Sequence, residues 1–188
     1  TGLRHRSSPL PLFLTAAAVK NDAAAQLMLG QDFLFGNAST EAKSQGVAWI
    51  RKAALQANAD GQFMMGVIYL NGLGIERDID EAVVWFRRAA AQGSKNAKYS
   101  LGQIYHTGVA GVGVDQAEAV KWYLEAAKLG QHEAEYYLAA AYMSGLNPSP
   151  EEKTNTNRLY ELGMSWLKKA AEAGVGDAQN DLGHEEMK

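Results

Sequence analysis

The 188-residue chain has no cysteine. Disulfide frameworks, thiolate zinc sites, iron–sulfur clusters and cysteine nucleophiles are thereby excluded. Proline occurs only 4 times, against 31 alanines and 19 glycines. That balance suits close-packed, glycine-punctuated helices better than a β-sandwich. Positive charge is not in excess: 18 Lys and Arg stand against 21 Asp and Glu, a net charge of −3. No broad basic surface is on offer for phosphate, so no nucleic-acid partner is expected. No apolar run approaches the ~18 residues that suggest a membrane span. Of the histidines His5, His106, His132 and His184, no two lie four apart, so a helical metal pair is missing. What the chain does have is 47% hydrophobic residues, enough for a packed core and too many for a disordered chain.

The order of those residues repeats. Trp49, Trp85, Trp122 and Trp166 are spaced by 36, 37 and 44 residues, and the alanine pairs beginning at Ala53, Ala89, Ala126 and Ala170 keep the same spacings. A third marker, Leu29-Gly30, returns as Met65-Gly66, Leu101-Gly102, Leu138-Ala139 and Leu182-Gly183, with turn glycines at Gly36, Gly72, Gly108 and Gly145. From the first alanine of a pair to the next Leu or Met marker is always 12 residues. Run backward from Leu29, that interval lands on Ala17-Ala18, so Leu12 to Asn21 reads as the second helix of an incomplete earlier repeat. Length varies only between the turn glycine and the tryptophan. Rigid packing is therefore expected across each repeat junction, with freedom in the loop inside each repeat.

Each unit reads as helix, turn, helix. Gln62 to Asn71 is a short apolar helix that Gly72-Leu73-Gly74 breaks. Asp78 with Glu81, and Asp115 with Glu118, have the spacing of an N-cap and capping box. The helix that follows Asp78 is expected from about Ile79 to Gln92, with Ala82, Val83, Trp85, Phe86, Ala89 and Ala90 on one face. Gly93, Gly130 and Gly174 sit where a helix ends in a left-handed residue, and Asn21 tolerates the same slot. Ala57 does not suit it, so the cap is expected to shift to Asn58. In the fourth unit, Ser149-Pro150-Glu151-Glu152 reads as N-cap, first-turn proline and N3 glutamate. The second helix there is expected to start early and project, with Gly163 as a kink point.

These markers, A-x-x-x-L-G-x-x-Y-x-x-G followed by D…A-x-x-W-Y-x-x-A-A-x-x-G, resemble the Sel1-like repeat, a relative of the tetratricopeptide repeat. The best copy runs from Ala97 through Leu101-Gly102, Tyr105 and Gly108 to Asp115, Trp122-Tyr123, Ala126-Ala127 and Gly130. The resemblance implies an all-α fold, a right-handed α-solenoid superhelix of stacked antiparallel helix pairs. One repeat domain is expected over 1–188: a half-unit at 12–24, repeats at 25–60, 61–96, 97–133 and 134–177, a partial repeat at 178–188, and a disordered tail at 1–11. Residues 37–48 depart from the family's Gly-x-Gly-Val turn. The start at Thr1 suggests a processed chain, and the end inside a first helix suggests a longer natural protein. Family habit favours a periplasmic or secreted location, with the cytoplasm as the alternative. Leu10 to Ala18, behind Arg4-His5-Arg6, has features of a signal peptide, but the repeat accounts for it better.

The family is a scaffold without a fixed chemistry. The resemblance therefore implies a non-enzymatic adaptor for a protein or peptide, with no cofactor, no metal and a monomeric state favoured. Its alternatives are an immunity protein that neutralises a secreted bacterial effector such as a phospholipase, and a regulatory module of a larger envelope or signalling assembly. Catalysis finds little support in the residues. Gly108-x-x-Gly111-x-Gly113 lacks the Lys-Ser/Thr of a nucleotide loop. Glu151-Glu152 suits a helix N-terminus, and no Gly-x-Ser-x-Gly is present.

If the groove follows tetratricopeptide geometry, first helices line the concave face. The rows two before, two after and five after each Leu/Met marker, and five before it, would meet a partner. From these rows we take Gln31, Asp60, Phe63, Asn96, Tyr99, Gln103, His106, Glu133, Tyr136 and Met143 as candidate contacts. Aromatics and methionine are enriched at interface cores. Packing between helices competes for Phe63, Tyr99 and Tyr136, and helix capping competes for Asp60, Asn96 and Glu133. The four tryptophans track the repeat and are assigned to the core.

Overall fold

A computed structural model describes residues 12–36, 39–109, 111–146 and 156–186 of the chain. Among the described residues there are ten α-helices and no strand. The chain divides into two compact units, residues 1–94 and 95–188. The expected tail at 1–11, the proposed helix start at Ser149-Pro150 and the Glu151-Glu152 pair lie outside the described residues.

The first unit holds α1 (Leu12–Val19), α2 (Ala23–Phe35), α3 (Thr40–Leu55), α4 (Ala59–Asn71) and α5 (Ile79–Ala91), each packed against the next. Its core contains Ile50, Met65, Ile68 and Phe86, all fully buried. Burying a side chain of that size contributes about 1.5–3 kcal/mol. Small residues let the helices approach. A Cβ built on Gly30 of α2 would lie 2.5 Å from Ile50 Cγ1 and 2.7 Å from the Gly46 carbonyl of α3. A Cβ on Gly66 of α4 would meet the Phe86 ring of α5 at 2.5 Å. The glycine of the Leu-Gly marker is therefore a packing residue, since a methyl group would force the hairpin apart.

The second unit holds α6 (Lys95–Thr107), α7 (Gln116–Lys128), α8 (His132–Met143), α9 (Thr156–Glu172) and α10 (Gly176–Glu186), again packed in sequence order. Gly102 of α6 repeats the same contact, 2.6 Å from the Tyr123 ring of α7 if it carried a Cβ. In the fourth repeat the marker is Leu138-Ala139, and the glycine has moved to the opposite helix. A Cβ on Gly163 of α9 would meet Met143 Cγ at 2.6 Å and the Ala139 carbonyl at 2.9 Å. Helix α9 runs unbroken through Gly163, so close approach is the physical reason for this glycine. The helix begins 14 residues before Ala170, against 10 for α5 before Ala89 and α7 before Ala126 but 13 for α3 before Ala53, so the early start is shared with the first repeat. Relative to α5 and α7 it is about one turn longer at its start.

The invariant 12-residue interval has a hydrogen-bond explanation. At each described junction the alanine pair supplies the last carbonyls of a helix. Ala53 O accepts from Asn58 N at 3.3 Å and Ala54 O from Ala57 N at 3.1 Å. Ala126 and Ala127 accept from Gln131 N and Gly130 N at 3.1 and 2.9 Å, and Ala170 and Ala171 from Val175 N and Gly174 N, both at 3.0 Å. This is the paired closure of a Schellman cap. The next helix starts immediately, leaving no residue to add or delete. A glutamine then ties the new helix to the old one: Gln26 Nε2 donates to Ala18 O at 3.0 Å, Gln62 Nε2 to Ala54 O at 3.2 Å and Gln179 Nε2 to Ala171 O at 3.0 Å.

One expectation fails at this point. Ala57 does take the left-handed conformation, at φ 59°, and the cap does not shift to Asn58. Asn58 is already committed as the N-cap of α4, its side chain accepting from Gly61 N at 2.7 Å. The junction needs both residues in place, so Ala57 bears the strain. The left-handed helix ends are as expected: Asn21, Gly93, Gly130 and Gly174 have φ of 71°, 85°, 75° and 93°. Asp78 and Asp115 accept from Glu81 N and Glu118 N at 3.0 and 2.9 Å. Only half of each expected capping box forms, because Asp78 N and Asp115 N donate to Tyr69 O and Tyr105 O of the preceding helix rather than to a glutamate. In the atypical first loop Gly36 is extended, at φ −62°, and Ser39 caps α3.

The tryptophans are less uniform than expected. Trp85 is buried, while Trp49, Trp122 and Trp166 are half-buried. Three carry a cation over the ring from three residues on: Lys52 over Trp49 at 4.0 Å, Arg88 over Trp85 at 4.5 Å and Lys169 over Trp166 at 4.8 Å. At the fourth, the residue three on from Trp122 is Glu125, which instead pairs with Lys98.

Candidate functional site

In the first unit the candidates stay apart. Gln31 is half-buried on α2, and Asp60 is exposed in the first turn of α4. Phe63 is half-buried, its ring 5.7 Å from Phe86. That contact makes Phe63 partly a packing residue.

The second unit brings several together. On α6, Tyr99 is half-buried and its hydroxyl accepts from Gln103 Nε2 at 2.9 Å. One turn on, His106 is exposed, with Nδ1 3.0 Å from Gln116 Oε1 at the start of α7. These residues edge an aromatic cluster. Tyr123 and Tyr137 stack at 5.1 Å, Tyr99 lies 6.0 and 6.1 Å from them, and His106 lies 6.2 and 5.8 Å away. A small cavity of about 150 Å³ opens beside it, lined by His106, Gln116, Tyr123, Tyr137, Ala140 and Leu146 among others.

On α8, Tyr136 and Met143 share a larger cavity of about 330 Å³ with Ala140, Leu167, Asp181, His184 and Glu185. Tyr136 donates its hydroxyl proton to Asp181 Oδ2 at 3.0 Å across to α10. Asn96 and Glu133 are exposed in the first turns of α6 and α8, away from either cavity. Glu133 accepts from Gln131 Nε2 at 3.0 Å, and Gln131, the N-cap of α8, makes no capping bond with its side chain.

The electrostatics favour recognition over chemistry. Burial, helped by Tyr137 and Glu133, pushes the Tyr99 hydroxyl up to about 12. Burial and the Asp181 carboxylate push Tyr136 up to about 12 as well, and burial pushes Tyr123 further in the same direction. All three remain neutral hydroxyls at physiological pH, the opposite of an activated nucleophile. Among the described residues no three His, Asp or Glu side chains gather as metal ligands would. No described helix is long and apolar enough to cross a membrane.

A family model described as Sel1 repeat matches residues 23–58, 59–94, 95–131 and 132–175. The chain belongs to the Sel1 repeat family. Sel1 repeats generally mediate protein–protein interaction, and the family is typically a non-catalytic scaffold. The fold is the Sel1 α-solenoid. A Sel1 repeat protein from Oxalobacter formigenes is similar in structure with a TM-score of 0.80 and 30% identity, over 94% of this chain and 68% of that one. Another relative is c5321, a protective antigen present in uropathogenic Escherichia coli strains. It has a TM-score of 0.80 and 34% identity, over 92% of this chain and 35% of that one. A Sel1 repeat protein from Klebsiella pneumoniae subsp. pneumoniae shares the fold, with a TM-score of 0.58 at 19% identity over 92% of this chain and 81% of that one. No curated protein matches the chain.

Reading by Sel1 repeat position missed Tyr123, Tyr137, Asp181, Glu185 and Leu167. Tyr137 neighbours a candidate in sequence, and Asp177, Asp181 and Glu185 recur every four residues on α10, so a signal existed for those. Leu167 and Tyr123 carry core periodicity, and only their packing places them beside a cavity.

Proposed function

We propose that this Sel1 repeat chain is a non-enzymatic protein-binding module that takes its partner on the first-helix face of residues 95–188. Tyr99, Gln103 and His106 on α6 and Tyr136 and Met143 on α8 are the contacts. The reading is supported above all by the pair of adjacent cavities that share Ala140 as a common wall. Buried and half-buried tyrosines and the exposed His106 and His184 surround them, and aromatics are among the residue types that anchor protein interfaces. Their packing within the unit holds them in place before binding, which lowers the ordering cost of association.

The test is affinity capture from source-cell lysate with the wild type beside a Tyr99→Ala/Tyr136→Ala double variant, read by mass spectrometry, with thermal melting of both. A dominant partner lost from a variant that still melts cooperatively supports the site. A partner retained by that variant moves the site elsewhere. Identification of the lost partner as an enzyme inhibited by the chain would turn the reading from adaptor to dedicated inhibitor.

A further inference from the structure

The larger cavity has a defined chemistry. Its floor is apolar: Ala140 and Met143 from α8, Leu167 from α9 and the Tyr136 ring. Its α10 side is acidic. Asp181 and Glu185 line it directly on either side of His184, Glu185 already accepting from the Tyr160 hydroxyl at 2.6 Å, and Asp177 lies one turn earlier, close enough to act on the Tyr136 hydroxyl. Neither α8 nor α10 contains a single Lys or Arg. Helix α9 carries Arg158, Lys168 and Lys169, none of which lines the cavity, and Lys169 is paired with the buried Glu135. The volume of about 330 Å³ is at the lower end for small-ligand sites and fits one long side chain.

We infer that this cavity receives an arginine side chain from an extended segment of the protein partner, with its methylene stem on the Ala140–Met143–Leu167 floor and its guanidinium at Asp181. This rests on the protein-binding reading of the same face. A long basic side chain lays its stem on apolar surface while its head stays polar, matching this division of the wall. The planar guanidinium can pair with a carboxylate through two parallel hydrogen bonds and stack on an aromatic face, which an ammonium cannot do. Tyr136 supplies one hydrogen bond to Asp181, and a carboxylate accepts about four. The tyrosine thereby holds the Asp181 carboxylate in position. An acidic side chain would face the Asp181 and Glu185 carboxylates.

The test uses the full chain, fluorescently labelled, on an array of blocked five-residue peptides with four positions randomised and the centre fixed as Arg, citrulline, Lys or Glu. Citrulline keeps the shape of arginine and removes the charge. Arginine-centred peptides are expected to bind about tenfold better than citrulline-centred ones, and raising salt should weaken them. Asp181→Asn, which keeps an acceptor for Tyr136, should remove most of that preference without changing the melting temperature. Ala140→Trp, at an exposed position, should block binding sterically. Equal binding of arginine and citrulline peptides overturns the inference, as does a preference for glutamate or no binding at all. Separately, a natural partner captured equally by the wild type and by Asp181→Asn, yet lost from Tyr99→Ala/Tyr136→Ala, keeps the protein-binding face and removes the arginine pocket.

Discussion

Glu135 of α8 is wholly buried, and the Lys169 ammonium of α9 lies 2.6 Å from its Oε1, as an ion pair rather than a well-directed hydrogen bond. His132 Nδ1 approaches the other oxygen at 3.0 Å. In the preceding repeat the same two register positions hold Lys98 and Glu125, an ion pair of reversed polarity. In the first unit and at α10 the register of Glu135 is glutamine. A buried carboxylate is costly to leave unpaired, whereas an amide needs only local hydrogen bonds.

Lys169→Met should therefore destabilise the chain by about 2–4 kcal/mol, somewhat discounted because Lys169 is half exposed. Glu135→Gln should fall within about 1 kcal/mol of the wild type. The new amide would find Ala127 O eight residues back, as Gln62 finds Ala54 O and Gln179 finds Ala171 O. The double variant should recover most of the loss. Urea unfolding decides it: a neutral Lys169→Met would mean the carboxylate does not depend on the pair.

Gly30→Ala should cost roughly 1–3 kcal/mol, because the new methyl group meets backbone atoms of α3 and the hairpin has to open. Gly183→Ala is the opposite case. The same marker glycine there has nothing within 4 Å of its would-be Cβ. That change should stabilise α10 by about 0.5–1 kcal/mol. Thermal melts of the two variants should move in opposite directions. Equal losses would contradict the close-approach account of the marker.

Ala57→Gly should stabilise the chain by about 0.5–1 kcal/mol. Relief of the left-handed strain at φ 59° exceeds the extra entropy of the unfolded glycine. Asn58→Ala should cost about 1 kcal/mol, through loss of the cap on Gly61 N. A lowered melting temperature in Ala57→Gly would show that its methyl group packs more than its backbone strains.

Stability should fall as pH rises from about 10 to about 12. Tyr99 and Tyr136 are held up to about 12 in the folded chain against an ordinary value of 10.0, in both cases chiefly by burial. Above pH 10 the unfolded chain has lost protons that the folded chain keeps, so each step upward favours unfolding. Below pH 10 the contribution is complete. Melting temperature against pH, alongside tyrosinate absorbance, should show this decline, and Tyr136→Phe should make it shallower. A melting temperature unchanged to pH 12 would mean these hydroxyls titrate as if exposed.

The helices, their order and most of their caps are legible in the sequence. Asp78 and Asp115 announce helix starts because a capping side chain acts on a backbone N–H three residues away. Gly93, Gly130 and Gly174 announce helix ends because a left-handed residue is a local steric matter. Ala57 escapes a local reading because its own preference is overruled by two neighbours, the carbonyls of Ala53-Ala54 and the cap at Asn58. The candidate site was half legible. Helical spacing placed Tyr136 and Met143 on one face of α8, but nothing local ties Tyr136 to Asp181, 45 residues on.

Sequence alone determined the repeat, its rigid junction and its family, since each marker reports on a backbone neighbour or an adjacent helix turn at fixed spacing. Tertiary structure alone decided which polar residues meet: the reversed ion pairs at Lys98–Glu125 and Glu135–Lys169, the tyrosine cluster and the acidic-walled cavity. A buried glutamate or an exposed aspartate looks alike in any repeat until the opposing helix supplies, or withholds, its partner.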